Sequence, residues 1–334
     1  MFWPPMNADQ RRSKTKRAKL LILLAAVPLS AQSSLYVGMT VTKEYVVGAK
    51  LPPSGLFVRN AQGEWQHEGF NHPFIFSLDY DAGDPSILYL AAGNGLIRAS
   101  EHGWKILTGS DVTELRDVSV DRAGTIYFAH SHGIRVSRDR GATWEEIGAT
   151  LHRKFTEAVR ADWNQLVAGG EEGIFRTLDG GRTWQLAGAA GFQITRIEQS
   201  PHDACEWAAT TQGGGVFLSH DCAKTFENTG RIGVGATLYD VAFDPVQAKR
   251  IAVAGWGPGV AISEDGGKTW QSRNAGLPVP EVVSVIFDPD AGGRMYASVR
   301  DDGLYVSNDA GRNWSKQGLD GSVVNRMKFV PVGR

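Results

Sequence analysis

The chain has 334 residues, 42% hydrophobic and 21% charged, which is a globular composition long enough for one large core or two modest ones. With the basic leader described below set aside, 29 basic residues face 35 acidic ones, a net of −6. That balance argues against nucleic acid as the main partner, which wants a basic face. Forty glycines mark many tight turns, and ten tryptophans beside them suggest short strands pinned by large apolar side chains.

In chain order, the basic stretch RRSKTKRAK (11–19) comes first and the apolar run LLILLAAVPLSA (20–31) follows. Basic, apolar, small is the order of a secretory signal, so 1–31 is predicted to be a signal peptide and 32–334 the mature domain. The run is shorter than the ~20 residues of a comfortable membrane span, so the mature chain is not expected to cross a membrane. No cysteine follows the run that would suggest a lipid anchor.

Strands are predicted near 35–40, 56–60 and 64–68, and a long connection, TVTKEYVVGAKLPPSG (40–55), interrupts them. From there one motif recurs. Its clear copies are SRDRGATW (137–144), TLDGGRTW (177–184), SEDGGKTW (263–270) and SNDAGRNW (307–314). SHDCAKTF (219–226) is weaker, and RNAQGEW (59–65) and ASEHGW (99–104) are eroded. The closing aromatics Trp65, Trp104, Trp144, Trp184, Phe226, Trp270 and Trp314 are spaced by 39, 40, 40, 42, 44 and 44 residues. That makes seven repeats.

One repeat, 282–318, reads as four strands: VVSVIFD, RMYASV, LYVS and NWSKQ, with glycine-rich turns between them. Four short antiparallel strands make one propeller blade. The fold class is therefore all-β, a seven-bladed β-propeller with four antiparallel strands per blade. The first repeat lacks a first strand, and near its C-terminus the chain carries VNRMKFVP (324–331), which aligns with VVSVIFDP. The C-terminal strand is expected to complete blade one and close the ring, removing an open sheet edge.

These motifs resemble the S-x-D-x-G-x-T-W box of Asp-box (BNR) repeat β-propellers, over roughly 35–334. Such boxes occur in sialidases, xyloglucanases, sortilin-type receptors and photosystem II assembly-factor propellers, and a single seven-bladed domain looks most like the last group. The resemblance implies that the boxes, between the third and fourth strands, lie away from the binding face.

The box chemistry reads as structural. Ser137, Asp139, Gly141 and Trp144 form one copy, and Ser263, Asp265, Gly267 and Trp270 another. Ser307, Asp309, Gly311 and Trp314 repeat them, with Asp179, Gly181, Trp184 and Asp221 in the remaining boxes. Each aspartate is placed to accept backbone N–H groups across its own turn, the glycine to take positive φ, and the tryptophan to pack under the turn. Calcium or sugar binding is the competing use. In blade five Cys222 sits in the box turn and Cys205 at the start of the second strand, beside it in an antiparallel pair. A disulfide suits an exported protein, and two free thiols are the alternative.

The opposite face carries the candidate binding residues. Its turns between second and third strands hold Asn94, His130, His132, Glu171, Glu172, Gln212, Trp256, Arg300 and Asp301. Trp256, in GWGPG, is the aromatic most suited to stack on a sugar or a partner protein. The first strands are expected innermost, with Ser77, Asp117, Ala158, Arg196, Asp240, Ser284 and Arg326 at one level. This set is expected to approach the central channel, either as a mixed-charge site or as a solvated lining whose charges cancel.

If the chain is an enzyme, Asp117 and Asp240, three blades apart, are the glycoside-hydrolase pair. Against that, no Arg-Ile-Pro motif of the sialidase type is present, GRIGVG (230–235) not being one, and xyloglucanases pair two propellers. HSH (130–132) lacks a third metal ligand, and DYDAGDP (79–85) lacks the rest of an EF-hand pattern. No cofactor or metal is expected. The reading is a monomeric, exported scaffold that binds a protein partner, or a glycan, on the face opposite the boxes, with glycoside hydrolysis as the alternative.

Overall fold

The computed structural model describes residues 32–43, 52–60, 62–72, 74–148, 151, 155–162, 165–230, 232 and 235–332. The predicted signal peptide and residues 44–51 of the 40–55 connection lie outside them. The described residues form seven sheets of four antiparallel strands, six of them in consecutive order and one joining the C-terminal strand to the first three. The innermost strands are Ile75–Asp81, Asp117–Val120, Thr156–Asp162, Ile194–Gln199, Thr237–Phe243, Val282–Phe287 and Ser322–Pro331. Each contacts the next, and the last returns to the first, so the sheets close into a ring. Among the described residues no helix is long and apolar enough to cross a membrane.

Closure occurs as the repeat phase requires. The C-terminal strand Ser322–Pro331 pairs antiparallel with Ser33–Val41, the second strand of blade one, from Ser33↔Pro331 to Val41↔Ser322. Apolar side chains then fill the spaces between neighbouring sheets. Blades four and five, for example, share a cluster holding Ile174, Ile197, Trp207 and Phe217.

The box turns show why these residue types recur. In the SEDGGKTW copy, Asp265 Oδ1 accepts the Thr269 N–H (2.9 Å) and the Ser263 hydroxyl (2.8 Å). Its Oδ2 accepts the Thr269 hydroxyl (2.6 Å), and Ser263 Oγ accepts the Gly267 N–H (2.8 Å). Gly267 has φ 85°, and a Cβ there would stand 2.3 Å from Leu218 Cδ1 of the preceding blade. Glycine is thus required for conformation and for close approach.

The tryptophans do more than pack beneath their own turns. The indole Nε1 atoms of Trp144, Trp184 and Trp314 donate to the carbonyls of Leu107, Ile147 and Arg273. All three acceptors belong to the preceding blade, so the box also joins blades. The eroded copies differ. Asn60 replaces the aspartate in blade one, accepting the N–H groups of Gln62 and Glu64. In blade two the turn shrinks to Glu101–His102, between strands ending at Ser100 and starting at Gly103.

In blade five, Cys205 and Cys222 form a disulfide. Cys205 precedes the second strand, which starts at Trp207 rather than at the cysteine. The glycine position of this box is Ala223, at φ 60°. The bridge therefore staples a turn that has lost its permissive residue.

Hydrogen bonds from the side chain and N–H four residues on hold Asp139, Asp265 and Asp309 down at about 2. Asp221 also sits at about 2, because the same bonds outweigh a burial effect that would raise it, and Asp179 lies lower still. A carboxylate depressed in the folded state gives full stabilisation above its unfolded value, near 4, and loses it as pH falls through its folded value. Thermal melts should therefore fall steadily between about pH 4 and pH 2, with a shallower slope in Asp265→Asn. For the disulfide, non-reducing mass spectrometry should show one Cys205–Cys222 link. Cys205→Ser/Cys222→Ser should lower the free energy of unfolding by about 3 kcal/mol in urea titrations.

Candidate functional site

The site is built by one irregularity repeated around the ring. On blade two, Ile75 pairs with Ala92 and Ser77 with Ala91, so Phe76 is skipped. The same skip leaves out Glu157, Thr195, Tyr239, Val283 and Asn325 on their inner strands. On blade three, Arg116 N bonds Ala129 O while Asp117 pairs with the same residue. A β-bulge inserts one residue and re-aims the side chains on either side of it. The seven skipped residues, one from each blade, line a cavity of about 380 Å³ on the face away from the boxes.

This corrects the sequence-based layer by one residue. Ser77, Asp117, Ala158, Arg196, Asp240, Ser284 and Arg326 are not a solvated lining. All are at most 7% exposed and lie beneath the bulged ring. The signal was present as a break in alternation. Apolar residues fall two before and one after the polar position, as in Ile194-Thr195-Arg196-Ile197 and Leu238-Tyr239-Asp240-Val241, where strict alternation would space them evenly.

The floor is a closed charge network. Arg196 donates to Asp117 Oδ1 at 3.0 Å and to Glu198 Oε1 at 3.0 and 2.9 Å, with Asp240 Oδ1 3.8 Å from its Nε. Arg326 donates to Asp240 Oδ1 (3.1 Å) and Glu198 Oε1 (2.6 Å), and Arg160 also reaches Glu198 Oε1 (2.6 Å). Three guanidinium groups thus balance three carboxylates.

The remaining lone pairs are also committed. Asp117 accepts the Ser77 hydroxyl (2.6 Å) and the N–H groups of Val118 and Val159. Asp240 accepts the Ser284 hydroxyl (2.7 Å) and the N–H groups of Val241 and Val285. Asp117 and Asp240 do face each other across the axis, and Arg196 stands between them.

The two carboxyls are pushed apart. Burial would raise both. At Asp117 the opposing pull of Arg196, Arg160 and the Ser77 hydrogen bond wins, and the value falls below the ordinary range. At Asp240 burial wins over the more distant arm of Arg196 and the bond from Ser284, and the value rises to about 6. Burial alone would lower Arg196, and Asp117, Glu198 and Asp240 together raise it.

The rim carries the aromatic residues. Arg116 clamps Glu157 through two hydrogen bonds (3.1 and 3.3 Å) and lies over the rings of Phe76 (5.0 Å) and Phe155 (5.5 Å). Phe74, half exposed, stacks on Phe76. Trp256 is 44% exposed, with the Arg300 guanidinium 4.9 Å from its ring centre.

Of the sequence-predicted residues, the cavity brings together Gln212, Arg196, Asp240 and Arg326. Trp256 pairs with Arg300, and Asp301 takes φ 56° in the same turn, both away from the cavity walls. Asn94, bonded to His72 Nε2 at 2.7 Å, and Glu171 and Glu172 sit on separate turn tips. Sequence reasoning missed Phe76, Arg116, Glu157, Thr195, Tyr239, Val283 and Asn325. Among the described residues no group of three His, Cys, Asp or Glu is placed to hold a metal ion.

No protein-family model and no curated protein matches the chain in sequence. Solved structures match its fold. A GH74 enzyme from Niastella koreensis is 16% identical, with a TM-score of 0.60 over 72% of this chain and 45% of that one. The extracellular domain of the hybrid two component system BT4673 from B. thetaiotaomicron is 12% identical, with a TM-score of 0.63 over 84% of this chain and 39% of that one. YCF48 bound to D1 peptide is 18% identical, with a TM-score of 0.55 over 72% of this chain and 81% of that one. The chain spans less than half the length of the first two. These likenesses show the propeller fold, which enzymes and binding proteins share.

The floor should behave as a unit. Arg196→Met strands the buried Asp117 carboxylate, whose bonded guanidinium it removes, and should cost about 3–5 kcal/mol in urea unfolding. A smaller loss, comparable with an exposed ion pair, would mean that water reaches the network.

Proposed function

We propose that the chain is an exported binding or assembly scaffold of the Asp-box propeller type, holding a protein partner over the bulge-lined mouth. The observation that carries this reading is the contrast between floor and rim. Every carboxylate oxygen of Asp117 and Asp240 is engaged by the protein's own donors, whereas Phe74 and Trp256 stand exposed on the same face. Exposed aromatic residues beside arginine are the usual anchors of protein recognition. The order of residues 11–31 and the disulfide support export. That YCF48 carries a bound peptide supports a protein ligand over a glycan.

A photo-crosslinking amino acid at Gln212, on the cavity rim, tests the reading against one at Thr225, in a box turn. Gln212 should capture a discrete protein that Thr225 does not, and Trp256→Ala should weaken that capture. Equal capture from both faces would defeat the proposal.

The separated carboxyls favour a second reading, glycoside hydrolysis, because divergent values mark an acid and its partner. A hydrolysis screen on the purified chain decides it. Asp240 as the acid requires turnover that declines above about pH 6 and disappears in Asp240→Asn.

A further inference from the structure

The channel has a second mouth, on the box side, separated from the first by the charge network. It opens into a cavity of about 400 Å³. Phe243, Phe287, Phe329 and Tyr80 form its apolar walls, and Glu198 and Arg326 border it. Pro201, Pro245, Pro289 and Pro331 ring the entrance on blades five, six, seven and one. Beyond the prolines the apolar surface continues through Val246 and Val332, 47% and 50% exposed.

We propose that this opposite mouth is a second binding site, for an apolar peptide segment that presents an uncharged amide. Three features select that chemistry. First, the floor is already neutral, with Arg160, Arg196 and Arg326 against Asp117, Glu198 and Asp240, and Lys328 is matched by Asp79 at 2.8 Å. A carboxylate or ammonium entering this cavity brings an uncompensated charge out of water, and an amide does not.

Second, the Glu198 carboxylate borders this mouth and can accept a hydrogen bond there. The four short contacts to Glu198 all fall on Oε1, which leaves its Oε2 to accept the amide N–H.

Third, the walls supply apolar area for a side chain, while the exposed valines and prolines extend that surface past the cavity. A continuing chain covers both, and a small molecule covers only the first. This inference stands apart from the proposal for the other mouth, because it uses a different cavity, with Arg326 alone lining both.

A matched series on the full chain tests it: N-acetylleucinamide, which is neutral, N-acetylleucine, an anion, and leucinamide, a cation. Titration calorimetry should find N-acetylleucinamide bound at least about tenfold more tightly than either charged analogue, a difference of about 1.4 kcal/mol. Ala242→Trp and Ile286→Trp each fill the cavity from an inner strand and should abolish that binding, with thermal melts confirming the fold. Trp256→Ala should leave it intact. The proposal is overturned if N-acetylleucine binds as well as the amide, if no probe binds, or if a folded cavity-filling variant binds as the natural chain does. Should both variants fail to fold, the ranking of the three probes on the natural chain decides alone.

Discussion

The pairing of Ser322–Pro331 with Ser33–Val41 is the constraint on which the rest of the molecule depends. Seven sheets packed face to face have no natural end until the first meets the last, and an unclosed ring would leave both an apolar face and a strand edge in water. The closing strand also carries Arg326, which reaches Glu198 and Asp240, 128 and 86 residues away in sequence. Closure therefore delivers the third guanidinium of the floor. Without it, Asp240 would lose its nearest arginine and Glu198 one of three. The backbone pairing and the charge network are completed by one event, and each gives the other a reason to be specific.

Blade-to-blade attachment is organised at two radii. Near the axis the polar residues of the inner strands reach across to their neighbours: Asp117 takes the Val159 N–H, Asp240 takes the Val285 N–H, and Asp79 takes the Val120 N–H. Farther out, the box tryptophans do the same with the preceding blade's carbonyls. Sheet faces packed only by aliphatic side chains can slide, because dispersion contacts have little directionality. Directional bonds at both radii fix the rotation of each blade, and so the position of each bulged residue in the mouth.

The repeat period made the blade count, the strand order and the closing strand legible, because each depends on spacing that the sequence states directly. The box chemistry was legible for the same reason, since an Asx turn is local. The site was legible only to within one residue. Asp117, Arg196, Asp240 and Arg326 stood out as polar residues on apolar strands, and that contrast identified the channel correctly. Their burial did not show, because it arises when side chains from blades one, three, four, five and six converge. Nor did the half-buried ring of Phe76, Tyr239 and Asn325, since a bulge reverses the facing that alternation assigns. The irregular spacing of apolar residues around each position was the available sign. Trp256 was singled out for want of a packing partner, and it is indeed exposed, though Arg300 covers one side of it.

A closed charge network across the axis also divides the molecule functionally. Arg196 and Asp240 face one cavity, Glu198 the other, and Arg326 both, so a ligand on one side cannot reach the other without breaking ion pairs that are costly to break singly. The channel is therefore two cups back to back and not a passage. The cups differ in chemistry because their walls come from different levels of the same strands. The bulged level supplies arginine, glutamate, threonine and asparagine beside aromatic residues. The opposite level supplies prolines and phenylalanines where the inner strands of blades five, six, seven and one end. One set of seven strands thus presents a polar cup and an apolar one, and the bulge that re-aims a single residue per strand makes the difference.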